Sequence, residues 1–123
     1  MINSWFWLFL FHIKKLMDKQ KIIEAIRSEN FIDIEHEKSK GKGVIVRKLC
    51  PYDIYSSGEK KKSGKTRSIL LGYEIDNAQK GNCVAKIFLD QIRSVDVLSA
   101  EFDGQEIKRL VKSSKTPTVK RDW

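Results

Sequence analysis

Apolar positions recur at helical spacing in only one well-marked stretch of this chain. Between Asp18 and Ser28, Ile22, Ile23 and Ile26 fall on one face while Lys19, Lys21, Glu24 and Arg27 lie elsewhere, which predicts a short amphipathic helix with Asp18 as its N-cap. From Phe31 the period drops to two: Ile32 and Ile34 alternate with Asp33 and Glu35 as far as Glu37, the pattern of a half-buried strand. Lys40-Gly41-Lys42-Gly43 then separates this run from Val44–Leu49, a glycine-bearing loop between two strands and hence a hairpin. Pro51 has no N–H to give a ladder and is expected to end or bend the second strand, leaving Tyr52–Tyr55 as a third.

The clearest alternation runs from Ser68 to Ile75, with Ile69, Leu71, Tyr73 and Ile75 on one face and Ser68, Leu70, Gly72 and Glu74 on the other. Val84–Leu89 predicts a fifth strand, Asp90-Gln91-Ile92 a single helical turn, and Ser94–Leu98 a sixth strand. A short helix around Ile107, Leu110 and Val111 follows, and after Ser113 the tail reads as loose, with Trp123 exposed by default although an end-of-chain tryptophan can dock on a core. Six short strands behind one helix make the chain mainly β, and strands of this length at this spacing suit a small closed barrel.

At 123 residues there is material for one domain and a modest core. The parts read as an N-terminal extension (1–16), a β domain (17–103) and a basic C-terminal tail (104–123). The extension carries Trp5-Phe6-Trp7-Leu8-Phe9-Leu10-Phe11, an apolar run of seven. That is far short of the roughly 20 residues a transmembrane helix needs, so no span is expected. It also lacks the positive start and small-residue cleavage site of a secretory signal. Because domain-like patterning starts abruptly at Met17, the expectation is that Met17 is the native start; the other reading makes residues 5–11 an anchor for a bilayer surface or a hydrophobic groove.

Charge alters the picture most. The chain has 24 Lys and Arg against 16 Asp and Glu, a net charge of +8, and residues 38–67 alone account for that excess. A concentrated positive field favours phosphate-bearing partners through counterion release. Enzyme chemistry finds no foothold. Gly58-Glu59-Lys60-Lys61-Lys62-Ser63-Gly64-Lys65-Thr66 resembles a phosphate-binding loop, but it has five residues where that motif has four, and a strand follows instead of a helix. No nucleophile elbow and no carboxylate pair in a cleft is evident, so no catalytic residue is assigned. Cys50 and Cys83, with His12 and His36, make neither a disulfide framework nor a zinc pattern; no metal and no cofactor is expected, and the thiols read as reduced in a cytoplasmic protein.

Three blocks in fixed order, RKLCPYDIY (47–55), RSILLGYEI (67–75) and IFLDQIRSVDVL (87–98), resemble the WYL domain over residues 17–102. That family is a small SH3/Sm-like β-barrel serving as the ligand-sensing part of bacterial transcription regulators. On the resemblance, Arg47 and Pro51-Tyr52 match the arginine and Pro-Tyr step of the first block, Gly72-Tyr73 the "GY" of the second, and Leu89-Asp90-Gln91-Ile92 the closing "LDRI". The sequence departs from the family at Ser68-Ile69-Leu70, where only leucine of the naming triplet survives, at Gln91 in place of arginine, and at Ala85, with a basic residue one place later at Lys86. It also lacks the helix-turn-helix such regulators set on duplex DNA.

The resulting expectation is an SH3/Sm-like barrel of five to six antiparallel strands with one N-terminal helix. Its function would be non-enzymatic and regulatory: recognition of single-stranded nucleic acid or a nucleotide-type anion. Arg47, Arg67, Lys86 and Arg93 are the candidate phosphate contacts, Tyr52 a stacking surface, and Lys60, Lys61 and Lys62 a steering loop. A regulatory protein partner is expected and a homodimer is admissible. The alternative is a protein–protein interaction module, tethered to a membrane surface or partner by residues 5–11.

Overall fold

The computed structural model describes residues 4–38, 42–56, 67–77, 81–112 and 117–123. A helix, α1 (Ser4–Ser28), leads into β1 (Asn30–Glu37), β2 (Val44–Ser56), β3 (Ser68–Asn77) and β4 (Gly81–Phe88). A three-residue 3-10 turn (Leu89–Gln91) then connects to β5 (Ile92–Glu101) and α2 (Gly104–Val111). All pairings are antiparallel, in one five-stranded sheet of order β4-β3-β2-β1-β5. The protein is thus mainly β with an N-terminal helix, and its described strands number five, the lower end of the five to six expected.

The lost strand boundary lies at Pro51. Residues 44–49 of β2 pair with β1, ending at Leu49↔Ile32, and residues 50–56 pair with β3, beginning at Cys50↔Tyr73. One long strand therefore serves two partners in turn. Pro51 sits just past the exchange, beside a bulge between Pro51 and Asp53 where the ladder is already irregular and a missing N–H costs least.

The connection between β4 and β5 sets the shape of the sheet. These are its two edges, and in a flat sheet they would stand about 19 Å apart. Three residues between Phe88 and Ile92 reach less than about 15 Å even when stretched. The sheet is therefore strongly curled. Its inner face carries Ile32 and Ile34 from β1, Leu49 from β2 and Leu70 from β3, all fully buried.

On β3 the buried face includes Leu70, Gly72 and Glu74, while Ile69 and Tyr73 are covered from the other side and Ile75 is exposed. The alternation expected for this strand is present, but period two alone cannot say which face is inner. Gly72 and Glu74 disguise it. A Cβ on Gly72 would stand 3.0 Å from Leu49 Cδ1, so the glycine makes room for that leucine. Glu74 is buried because Arg47 meets it at 3.1 Å.

Helix α1 packs Ile22, Ala25 and Ile26 into the core, as the isoleucine spacing predicts. Its start differs: the helix is continuous from Ser4, so Asp18 lies mid-helix and is no cap. It ends where Glu29 turns to φ 57°. From there Glu29 holds the C-terminal elements, accepting Phe102 N–H on its carbonyl (2.8 Å) and Gly104 N–H on its carboxylate (2.8 Å). Asp103 caps α2 by accepting from Gln105 N–H at 3.0 Å.

Residues 117–123 are not loose. The Asp53 carboxylate accepts the N–H groups of Thr118 (3.2 Å) and Val119 (2.9 Å), and Arg27 Nε donates to the carbonyl of Lys120 (3.1 Å). Trp123 takes the docked arrangement and not the exposed one, buried against Phe102 at 5.7 Å between ring centroids.

Candidate nucleic-acid interface

Four clefts adjoin one another along α1 and around to α2, each sharing wall residues with the next. The first, about 330 Å³, is walled by Lys14 and Lys15 of α1, by Asp90 of the 3-10 turn, and by Arg93 and Glu37. Lys15, Asp18, Asp90 and Ile92 are common to it and a second of about 430 Å³, which adds His12, Lys19 and Arg67 over a floor of Leu16 and Leu89. Through Lys19 and Ser68 this joins a third of about 390 Å³ with Arg27, Tyr55, Ser56 and Lys120. Tyr55 and Thr118 lead into a fourth of about 560 Å³, where Lys86, Lys108 and Arg121 surround Tyr52 and Leu71. Among the described residues the walls carry ten Lys and Arg side chains against four carboxylates, Asp18, Glu37, Asp53 and Asp90.

The guanidinium of Arg67 is fixed from two sides. Its Nε and Nη2 donate to the two oxygens of Asp90 at 2.9 and 2.7 Å, and its plane lies 3.5 Å over the Phe88 ring. The Asp90 hydrogen bonds push its pKa upward, so it is cationic throughout the working pH range. Arg93 is held similarly, with Nη2 donating to Glu37 Oε1 at 2.8 Å while its own carbonyl accepts Lys14 Nζ at 2.7 Å. Both pairs are exposed, and surface pairs of this kind are weak enough to exchange a carboxylate for another anion. Burial raises the Asp18 carboxyl, with Lys14 and Lys21 pulling the other way.

Of the residues singled out from sequence, Arg67, Lys86, Arg93 and Tyr52 all line this run of clefts. Arg47 does not. It faces the inner side of the sheet, paired to Glu74 with 22% and 10% of the two side chains exposed. Tyr52 needs a correction as a stacking surface. Only 7% of it is exposed, because β2 continues through Pro51 and turns the ring into the core. Burial, helped by Asp53 and Tyr55, pushes its phenol up to about 12. Tyr55, one cleft wall away, is half-buried. Lys60, Lys61 and Lys62 lie outside the described residues; the segment carrying them leaves from Ser56 and returns at Arg67, both at the cleft walls.

Sequence reasoning missed the contribution of α1 and the tail. Lys15 and Lys19 are four apart on one helical turn, a spacing that puts them on one face. The expected boundary at Met17 split that pair, leaving Lys15 in the extension and Lys19 in the domain helix. Lys120 and Arg121 carried no such signal, since only docking of residues 117–123 brings them here. Among the described residues no three His, Cys, Asp or Glu side chains converge as metal ligands, and no helix is long and apolar enough to cross a membrane. Comparison with protein-family models, curated proteins and solved structures returned no match.

Proposed function

We propose that this protein is a non-enzymatic binding module for single-stranded nucleic acid, acting as a regulatory part that works through a partner. The observation that carries this reading is the run of adjoining clefts with ten basic walls and four acidic ones. A linear polyanion matches a linear run of cations, whereas a single nucleotide would fill one cleft and leave the others unused. Lys86, Lys108, Lys19 and Lys14 supply exposed ammonium groups as phosphate contacts. Arg67 and Arg93 contribute by releasing Asp90 and Glu37, and Tyr55 offers the ring on which a base stacks.

The curled sheet and the short link between its edge strands support a closed, Sm-like cylinder of the WYL kind, whose resemblance in the three blocks points to the same ligand class. A fluorescence-anisotropy titration with a short single-stranded oligonucleotide at two salt concentrations tests the proposal. The expected result is binding at micromolar concentration, weakening with salt at a logarithmic slope of about 0.7 per phosphate neutralised. Absence of binding at low salt overturns it in favour of an acidic protein partner.

A further inference from the structure

The N-terminal turns of α1 are apolar on every side. Residues 5–11 are consecutive Trp, Phe and Leu in a helix, and none is less than 39% exposed, rising to 79% at Trp5. A helix seated in a protein groove hides one stripe and shows solvent a polar one. Here there is no polar stripe to show, so an occupant that covers only one side leaves most of the apolar surface in water.

An immersing medium covers it all. Seven helical residues rise about 10 Å, which matches the depth to which interfacial helices sink between headgroup and acyl chain. Tryptophan is the side chain best suited to that boundary, with an apolar ring and one N–H for the headgroups. Directly after the apolar turns come His12, Lys14 and Lys15, then Lys19 one turn further on. Lys15 already lies over the Phe11 ring at 4.6 Å, at the junction between the two zones. Apolar turns end-on with a cationic collar behind them complement a lipid surface bearing negative headgroups.

We infer that residues 5–11 insert end-on into the interfacial layer of a bilayer rich in anionic lipid, with Lys14, Lys15 and Lys19 resting on its headgroups. Lys14, Lys15 and Lys19 are also walls of the first three clefts, so lipid and nucleic acid compete for them, whereas Lys86, Lys108 and Arg121 line the fourth cleft and take no part in the lipid contact. It stands independently of the nucleic-acid reading.

Co-sedimentation of the full chain with vesicles tests it, comparing pure phosphatidylcholine with a mixture containing about one third phosphatidylserine; the anionic mixture should bind about tenfold more tightly. Trp5→Ser/Trp7→Ser/Phe9→Ser should lower vesicle binding by at least about tenfold. The same variant should keep its circular-dichroism melting temperature and its oligonucleotide affinity, since these side chains sit outside both core and clefts. Brominated lipid should quench tryptophan emission in the parent chain and much less in the variant. Vesicle binding undiminished by the triple substitution overturns the inference and assigns the contact to the basic clefts. Self-association in analytical ultracentrifugation without vesicle binding also overturns it, making a second copy the occupant. Loss of oligonucleotide binding with vesicle binding intact would instead remove only the nucleic-acid reading.

Discussion

The indole N–H of Trp123 donates to the carbonyl of Ile26 at 2.8 Å, so a residue 97 positions away supplies the short hydrogen bond to a carbonyl at the end of α1 that also accepts Glu29 N–H at 3.4 Å. The same ring meets Phe102 edge-on and lies 3.8 Å beneath the guanidinium of Arg121, whose Nη1 in turn donates to the carbonyl of Tyr52. Burial lowers the Arg121 pKa, with Asp53 acting against that shift. Trp123→Ala should therefore cost about 3–5 kcal/mol by emptying this site. Trp123→Phe, which keeps an aromatic ring but leaves the Ile26 carbonyl with the longer bond from Glu29 N–H, should cost about 1–2 kcal/mol. Urea unfolding monitored by circular dichroism distinguishes the two.

Gly104 opens α2, where alanine is ordinarily the better helix former by about 1 kcal/mol. A Cβ there would stand 2.4 Å from Glu29 Oε1 and 2.4 Å from Trp123 Cδ2. Gly104→Ala is thus expected to destabilise, against the propensity rule, by about 2 kcal/mol or more. Much of that cost should vanish in a Trp123→Ala background, which removes one of the two obstacles. A double-mutant cycle measures the coupling, and strictly additive losses would separate the two residues.

The contrast between α1 and the tail shows what was legible beforehand. Ile22, Ile26, Ile32 and Ile34 were readable as core because local periodicity alone places them, and the structure buries all four. The exchange of partners within β2 was not readable, since Pro51 signals a break locally and only pairing with both β1 and β3 keeps the strand going. The burial of Tyr52 was hidden for the same reason, since it follows from β2 running on through Pro51. Arg67, Lys86 and Arg93 could be named as cations on strand ends, but Asp90 and Glu37, the carboxylate partners of Arg67 and Arg93, are 23 and 56 positions distant and left no mark at that scale. Docking of residues 117–123 is a sum of long-range contacts to Asp53, Arg27 and Ile26, none of which a short window of sequence contains.

Cys50 is completely buried beside Pro51, and burial pushes its thiol from 9.0 up to about 12, with Lys48 opposing. The folded state thus holds this proton more tightly than the unfolded chain. Below pH 9 both states are protonated and stability does not respond; between pH 9 and about 12 the unfolded thiol ionises first, and stability falls as pH rises. Tyr52 adds a loss of the same sign starting near pH 10. Cys50→Ala should flatten the first part of that fall, as read from urea midpoints across the alkaline range. In native protein Cys83, half-buried, should react with a thiol reagent well before Cys50, which should wait for global unfolding.

Arg47 and Glu74 allow the structural and binding roles of basic residues to be separated. Their contact at 3.1 Å lies on the inner face of the curled sheet, with Cys83 Sγ also within 3.8 Å of Glu74. Glu74→Leu strands a largely buried guanidinium and should cost about 1–3 kcal/mol, less than the roughly 3–5 kcal/mol of a fully buried pair because Arg47 keeps some solvent contact. Arg47→Met/Glu74→Leu removes both charges and fills the space, so stability should return to within about 1 kcal/mol of the parent. Because neither side chain lines the clefts, that double variant should bind the single-stranded oligonucleotide with unchanged affinity and salt slope. Lys86→Gln, on an exposed cleft wall, should instead lower the slope by about 0.7 with no change in unfolding midpoint. If Arg47→Met/Glu74→Leu weakened binding while Lys86→Gln did not, the ligand would lie against the inner face of the sheet and not along α1.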